Sequence, residues 1–239
     1  MIRRLAAACT LGAMAHMATT TVAHAQTVDL TTMMGGFTAP NPNNFLGAGV
    51  WQYAAGTGWT VNGRNRASAQ LVSQQYSATG GSASFSFNHS FSFERNLFGV
   101  CFDGGLLLAS INGGAFAPVV PTVSASSVGY RGPISTSNGS TRAGESAFCG
   151  FPNDQQSSVV NSNFSTSLAA GNTIQFAFEG VWDNSTVNSG ANWRIASVTT
   201  SGLAPVSTVP EPSTYLLVGT GLSLMGVVAR RRERRTVRA

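Results

Sequence analysis

The chain has 239 residues, nine of them acidic and fourteen of them arginine, with no lysine and a formal charge of +5. That length holds one ordinary domain and is short for two large ones. Most of the positive charge sits at the ends: Arg3 and Arg4 at one, and six arginines after residue 229 at the other. Between Gln26 and Val209, Arg64, Arg66, Arg95, Arg131, Arg142 and Arg194 face Asp29, Glu94, Asp103, Glu145, Asp154, Glu179 and Asp183, and six minus seven leaves −1. The working part therefore lacks the basic surface a nucleic-acid partner needs.

In chain order, Met1-Ile2-Arg3-Arg4 precedes an apolar run from Leu5 to about Ala18. Ala23 and Ala25 then place small residues at the −3 and −1 positions of a cleavage point before Gln26. Residues 1–25 read as a helical signal peptide, removed by signal peptidase. Cys9 leaves with it, so Cys101 and Cys149 remain. In an oxidising compartment they either form a disulfide, closing a loop of about 48 residues worth roughly 4 kcal/mol, or stay as two buried thiols. No neighbour activates either as a nucleophile.

Residues 27 to about 45, with Pro40 and Pro42, read as an arm leading into the domain. Ala83, Phe85, Phe87, His89, Phe91 and Phe93 alternate with Ser84, Ser86, Asn88, Ser90, Ser92 and Glu94, the period-two signature of a long half-buried strand. Thr173 to Glu179 and Trp193 to Val198 alternate too. Leu97 to Phe102 and Leu106 to Ile111 flank Asp103-Gly104-Gly105, a triplet suited to a turn, and Asn112-Gly113-Gly114 ends the second run. No helical stripe appears between residues 27 and 208. The expected domain is an all-β antiparallel β-sandwich over residues 26–201, followed by an extended linker at 202–209.

Three stretches and a final strand carry a resemblance: Asp103-Gly104-Gly105 through Asn112-Gly113-Gly114, Tyr130-Arg131-Gly132-Pro133-Ile134-Ser135, Arg142-Ala143-Gly144-Glu145, and Trp193-Arg194-Ile195. Over roughly residues 45–201 they resemble the MAM-like jelly-roll module found beside secreted bacterial peptidases of the immune-inhibitor-A type. The resemblance implies a jelly-roll fold. It implies no activity, because its motifs are turn and strand residues. Ala196 stands where that module has an acidic residue.

Few residues between the ends carry chemistry. His89 is the one histidine there and shares its strand face with phenylalanines, so it reads as a core histidine. A nucleophile-elbow motif is absent, and one histidine with two cysteines does not make a zinc site. Asp103 and Asp183 read as turn formers, Glu94 and Glu179 as strand-end residues on a polar face. No catalytic residue, metal site or cofactor is expected. Calcium is the one metal such oxygen ligands would suit, and no calcium motif assigns any. Trp51, Trp59 and Trp182, among Gly and Asn residues, are candidate glycan contacts by stacking, with core packing the better reading of all three.

The C-terminus reads Pro210-Glu211-Pro212, an apolar segment from Leu216 to Ala229, and Arg230, Arg231, Arg232, Arg234 and Arg235. As a helix, Tyr215 to Ala229 spans roughly 22 Å, short of a hydrocarbon core of about 30 Å. That length suits a temporary single transmembrane helix, with the arginines held cytoplasmic. Residues 210–239 resemble the PEP-CTERM sorting signal. The resemblance implies processing by an exosortase, passage through the inner membrane of a Gram-negative-type bacterium, and a host that makes exopolysaccharide. The expected function is a non-enzymatic surface or extracellular-matrix protein with a structural or adhesive sandwich, associated with exopolysaccharide or biofilm. A carbohydrate-binding module is the second reading, and a glycoside hydrolase-like enzyme the third.

Overall fold

A computed structural model of the chain describes residues 25–40, 49–150, 156–184 and 192–206, and positions 220, 222 and 223 of the tail. The body of the signal peptide with Ala23, the motif Pro210-Glu211-Pro212, the expected transmembrane helix as a whole, the arginine cluster and Asp154 lie outside the described residues. Among the described residues fourteen strands run in order: β1 (Gln26–Asp29), β2 (Gln52–Ala54), β3 (Gly58–Val61), β4 (Ser68–Val72), β5 (Tyr76–Ala78), β6 (Gly81–Phe91), β7 (Gly104–Ile111), β8 (Ala117–Pro118), β9 (Gly132–Pro133), β10 (Ser146–Ala147), β11 (Gln156–Leu168), β12 (Thr173–Val181), β13 (Trp193–Ser201) and β14 (Leu203–Pro205).

They form two six-stranded antiparallel sheets and a small pair, β9 with β10. The first sheet runs β11-β6-β13-β3-β2, the second β14-β5-β12-β7-β8. Each has one central strand whose far edge is shared by two short strands. β3 and β1 divide the edge of β13, and β4 and β5 divide that of β12. The architecture is the expected all-β, jelly-roll-like sandwich.

The core sits between the sheets. Ala83, Phe85, Phe87, His89 and Phe91 of β6 turn inward and are all buried. Phe85 stacks on Phe176 of the opposite sheet at 4.0 Å, and Phe178 meets Phe87 and Trp193 edge-on at 4.9 and 5.5 Å. Each such ring contributes about 1.5–3 kcal/mol by leaving water. In β13 a bulge at Ala196 interrupts the pairing with β6. One extra residue flips the alternation, so Ile195 before it and Val198 after it both face the core.

Local expectations changed in four places. The run from Leu97 to Phe102 is a turn with an isolated bridge at Cys101, not an extended arm. Asp103-Gly104-Gly105 is no turn, because β7 begins at Gly104. The small residues answer a packing need: a Cβ on Gly104 would lie 2.6 Å from that of Ala147, and one on Gly105 2.9 Å from the Trp193 ring. The arm contains β1, which pairs from Gln26↔Thr200 to Asp29↔Ser197. The linker contains β14, held by buried Leu203, with Pro205 tolerated because the strand is at a sheet edge.

Candidate functional site

The outward side of the first sheet is a continuous polar face. Register alone places its residues in rows across the strands. Asp29, Ser197, Asn88 and Asn161 form one row, Thr27, Thr199, Ser86 and Asn163 the next, and Ser201, Ser84 and Ser165 a third. Neighbouring strands lie about 4.8 Å apart and successive rows about 6.8 Å apart. The side chains brace one another. Asn161 Nδ2 donates to Asn88 Oδ1 at 3.1 Å, and Asn88 Nδ2 donates to Ser197 Oγ at 2.9 Å. Ser86 Oγ donates to Asn163 Oδ1, and Thr27 and Thr199 share a hydroxyl hydrogen bond, both at 2.9 Å. Asp29 is the one acid in these rows, and the hydroxyl and amide of Thr31 hold its carboxyl below the usual range.

At one end the face leads through Gln52, Thr60 and Arg194, paired across β2, β3 and β13. Gln52 and Thr60 line an open cleft there with Asn62 and Arg64. Arg194 lies across β3, its Nε donating to Thr57 O at 2.7 Å. Face and cleft thus present hydroxyls, amides and guanidinium groups, the chemistry of hydrogen bonding to a hydrated, hydroxyl-bearing polymer.

The histidine is buried and fully bonded. His89 accepts from Trp193 Nε1 at Nδ1, 3.0 Å, so its Nε2–H donates to Ser162 Oγ at 2.8 Å. Ser162 Oγ in turn donates to Val128 O at 2.5 Å. Burial pushes the imidazole down to about 3, so it stays neutral. This wire joins β13, β6, β11 and the 128 loop as a structural element.

The carboxylates differ from their expected roles. Glu179 is not on a polar strand end: it is 5% exposed and receives Arg142 at 2.8 Å from Nε and 2.7 Å from Nη2. Asp103 makes no local turn. It is fully buried, and its Oδ1 accepts the Asp183 N–H at 2.9 Å across eighty residues of chain. Asp183 Oδ2 accepts from Asn138 Nδ2 at 2.9 Å. Burial and the nearby charges of Asp183 and Glu94 push Asp103 up to about 7, and Glu94 is raised by burial and by Asp183. Among the described residues no group of three or more His, Cys, Asp or Glu side chains is placed to hold a metal ion.

The three tryptophans that were candidate glycan contacts are packed in the core. Trp51, Trp59 and Trp182 are 3%, 4% and 1% exposed. Trp51 and Trp59 each turn an indole N–H to a backbone carbonyl inside the domain, Ala69 O and Met34 O. Glycines make room for the third ring: a Cβ on Gly63 or Gly180 would collide with the Trp182 indole. The polar face is built from serines and asparagines whose alternation is visible in the sequence. Cys101 and Cys149 are joined in a disulfide that ties the start of the second sheet to the segment after β10.

No curated protein matches the chain. Among solved structures, it is similar to the CBM35 from Cellvibrio japonicus Abf62, at 12% identity and a TM-score of 0.38, covering 77% of this chain and 99% of that one. It is also similar to the CBM35 from Paenibacillus barcinonensis, at 12% identity and a TM-score of 0.33, covering 74% and 98%. Residues 208–235 match the PEP-CTERM protein-sorting motif. The chain is therefore an exported, exosortase-sorted protein whose C-terminal signal anchors it in the membrane.

Proposed function

We propose that this protein is a non-enzymatic surface or extracellular-matrix unit that adheres to exopolysaccharide through the outward face of its first sheet. The observation that carries the reading is the braced row Asn161, Asn88 and Ser197, with Ser86, Asn163, Thr27 and Thr199 beside it. A pre-ordered hydroxyl and amide lattice loses little side-chain entropy when a polysaccharide replaces its water. Its scarcity of charge keeps the hydrogen bonding independent of salt. The non-enzymatic reading is supported by the neutral, fully bonded His89 and by the burial of Asp103 and Asp183 away from any substrate. Release by the exosortase would place this face in the matrix.

Affinity electrophoresis of the protein through gels containing the host's exopolysaccharide tests this. The wild type should be retarded, and Asn88→Ala, which removes the centre of the braced row, should migrate at least several-fold less retarded. Equal mobility of the wild type with and without polysaccharide would remove the adhesive reading.

A further inference from the structure

The two most exposed large apolar residues among those described are adjacent: Leu97 at 84% and Phe98 at 92%. Single exposed apolar residues are ordinary, but this pair stands on a deliberately stiff tip. Asn96 Oδ1 accepts the amides of Phe98 at 3.0 Å and Val100 at 2.9 Å. Asn96 N donates to Val100 O at 2.9 Å, and Gly99 N to Asn96 O at 3.2 Å. Gly99 turns the chain at φ 87°, where other residues are strained. Behind the tip, Arg95 pairs with Cys101, whose amide donates to Pro133 O and whose sulfur is in the disulfide. Such a mount keeps both side chains from folding back onto the domain.

Chain direction says what they meet. The tip lies at the end of the sandwich where β6 finishes and β7 begins. β12 runs toward that end, since Val181 pairs with Gly104. β14 runs the same way, from Leu203 beside Ala78 to Pro205 beside Tyr76, and Val206 N donates to Gln75 O. By the β12–β5 register, Gln75 is level with Gln175, six residues or roughly 20 Å short of Val181. From Val206 to the apolar segment at Leu216 is ten residues, a reach of at most about 35 Å. The chain thus leaves toward the tip, with enough length to bring the membrane segment level with it and little more.

We propose that Leu97 and Phe98 form an interfacial foot that dips into the lipid surface while the sorting tail is still in the bilayer, orienting the domain end-on. The inference rests on the tail being membrane-seated. An apolar pair entering the interface gains the free energy it forgoes in water. Trp51, Trp59, Trp182 and Trp193 are at most 4% exposed, so lipid quenchers leave their emission as a fixed background that the parent chain subtracts.

The full chain is reconstituted in phosphatidylethanolamine–phosphatidylglycerol vesicles, and flotation is measured first. Phe98→Trp and Leu97→Trp variants are then compared with Ile111→Trp, a 44% exposed site at the opposite end of β7, using lipids brominated near the headgroup. Quenching of the added indole should be at least threefold stronger at 97 and 98 than at 111, with a blue shift. Flotation with equal quenching at all three sites overturns the foot and leaves the anchor intact. A concentration-dependent blue shift at 98 without vesicles overturns it in favour of a second copy of the chain. Failure to float overturns both the foot and the anchoring on which it rests.

Discussion

The two sheets share a fold and a central-strand plan, yet their outward faces differ. On the second sheet, Leu106, Leu108, Ala177 and Val181 turn outward and are nonetheless fully buried. Ile134 and Ala147 cover Gly104 there, and Arg142 reaches in to Glu179. A strand covered on both sides reads as a nearly unbroken apolar run, which is how Leu106-Leu107-Leu108-Ala109 appears in sequence. On the first sheet the outward positions of β6 are Ser82, Ser84, Ser86, Asn88 and Ser90, each followed or preceded by a core residue. The same backbone pattern therefore yields a sealed wall on one side and a presenting wall on the other. The long connection between β8 and β11, stapled by Cys101–Cys149, decides which is which.

The comparison breaks most visibly at the sealed wall. Arg142→Ala strands the Glu179 carboxylate in a dry site and should cost about 3 kcal/mol in urea unfolding. Adding Glu179→Leu should recover most of it, because the charge and its partner then leave together. A Glu179 that tolerated the loss of Arg142 would mean the covering segment is only loosely seated.

Titration sharpens the contrast next. Asp103, at the end of the sealed sheet, has its pKa raised from 3.8 to about 7 by burial and by the charges of Asp183 and Glu94. The folded state then holds a proton that the unfolded chain releases. The stability this provides is complete below about pH 4 and is lost as the pH rises through about 7. His89, pushed down from 6.5 to about 3, works the other way: its stability is present above 6.5 and lost as the pH falls toward 3. Above pH 6.5 the His89 limb is flat while the Asp103 limb persists. The melting temperature should fall by several degrees between pH 6 and 8, and Asp103→Asn should flatten that fall while leaving the acid limb. An unchanged slope in Asp103→Asn would assign the proton to another group.

The smallest effect belongs to the presenting wall. Asn88→Ala removes two half-exposed side-chain hydrogen bonds and should cost under about 1 kcal/mol, read by the same unfolding titration. A larger loss would mean that this face is built for stability and not for contact.

Much of this architecture was legible in the residues. The alternation from Ala83 to Glu94 announced β6, its inward phenylalanines and its outward serines. The runs at 173 and 193 announced the two central strands. The turn at Asn112-Gly113 also stands as expected, with φ 52° and 72°. The Cys101–Cys149 pairing was legible too, but several other inferences that needed a partner distant in sequence failed. Asp103-Gly104-Gly105 looked like a turn because glycine's two uses, positive φ and close approach, are the same letter. Gly180, two residues before Trp182, suggested a loop edge, whereas it and Gly63 leave room for the Trp182 ring. Glu179 looked like a solvated strand end because Arg142 lies far back in the chain. β1 and β14 were missed because three or four residues carry too little periodicity to announce a strand.

The sequence by itself determined the protein's address and its fold class. A sorting signal is read along the chain in order: a motif, an apolar span and a charge cluster need no tertiary contact to be recognised. Strand alternation is likewise local, set by side chains that point to opposite faces at every step. Only the tertiary structure decided which polar residues are presented and which are sealed. That depends on where the covering segment lies, on the one-residue bulge at Ala196 that keeps Ser197 and Thr199 in line with Asn88 and Ser86, and on the stiff mount beneath Leu97 and Phe98.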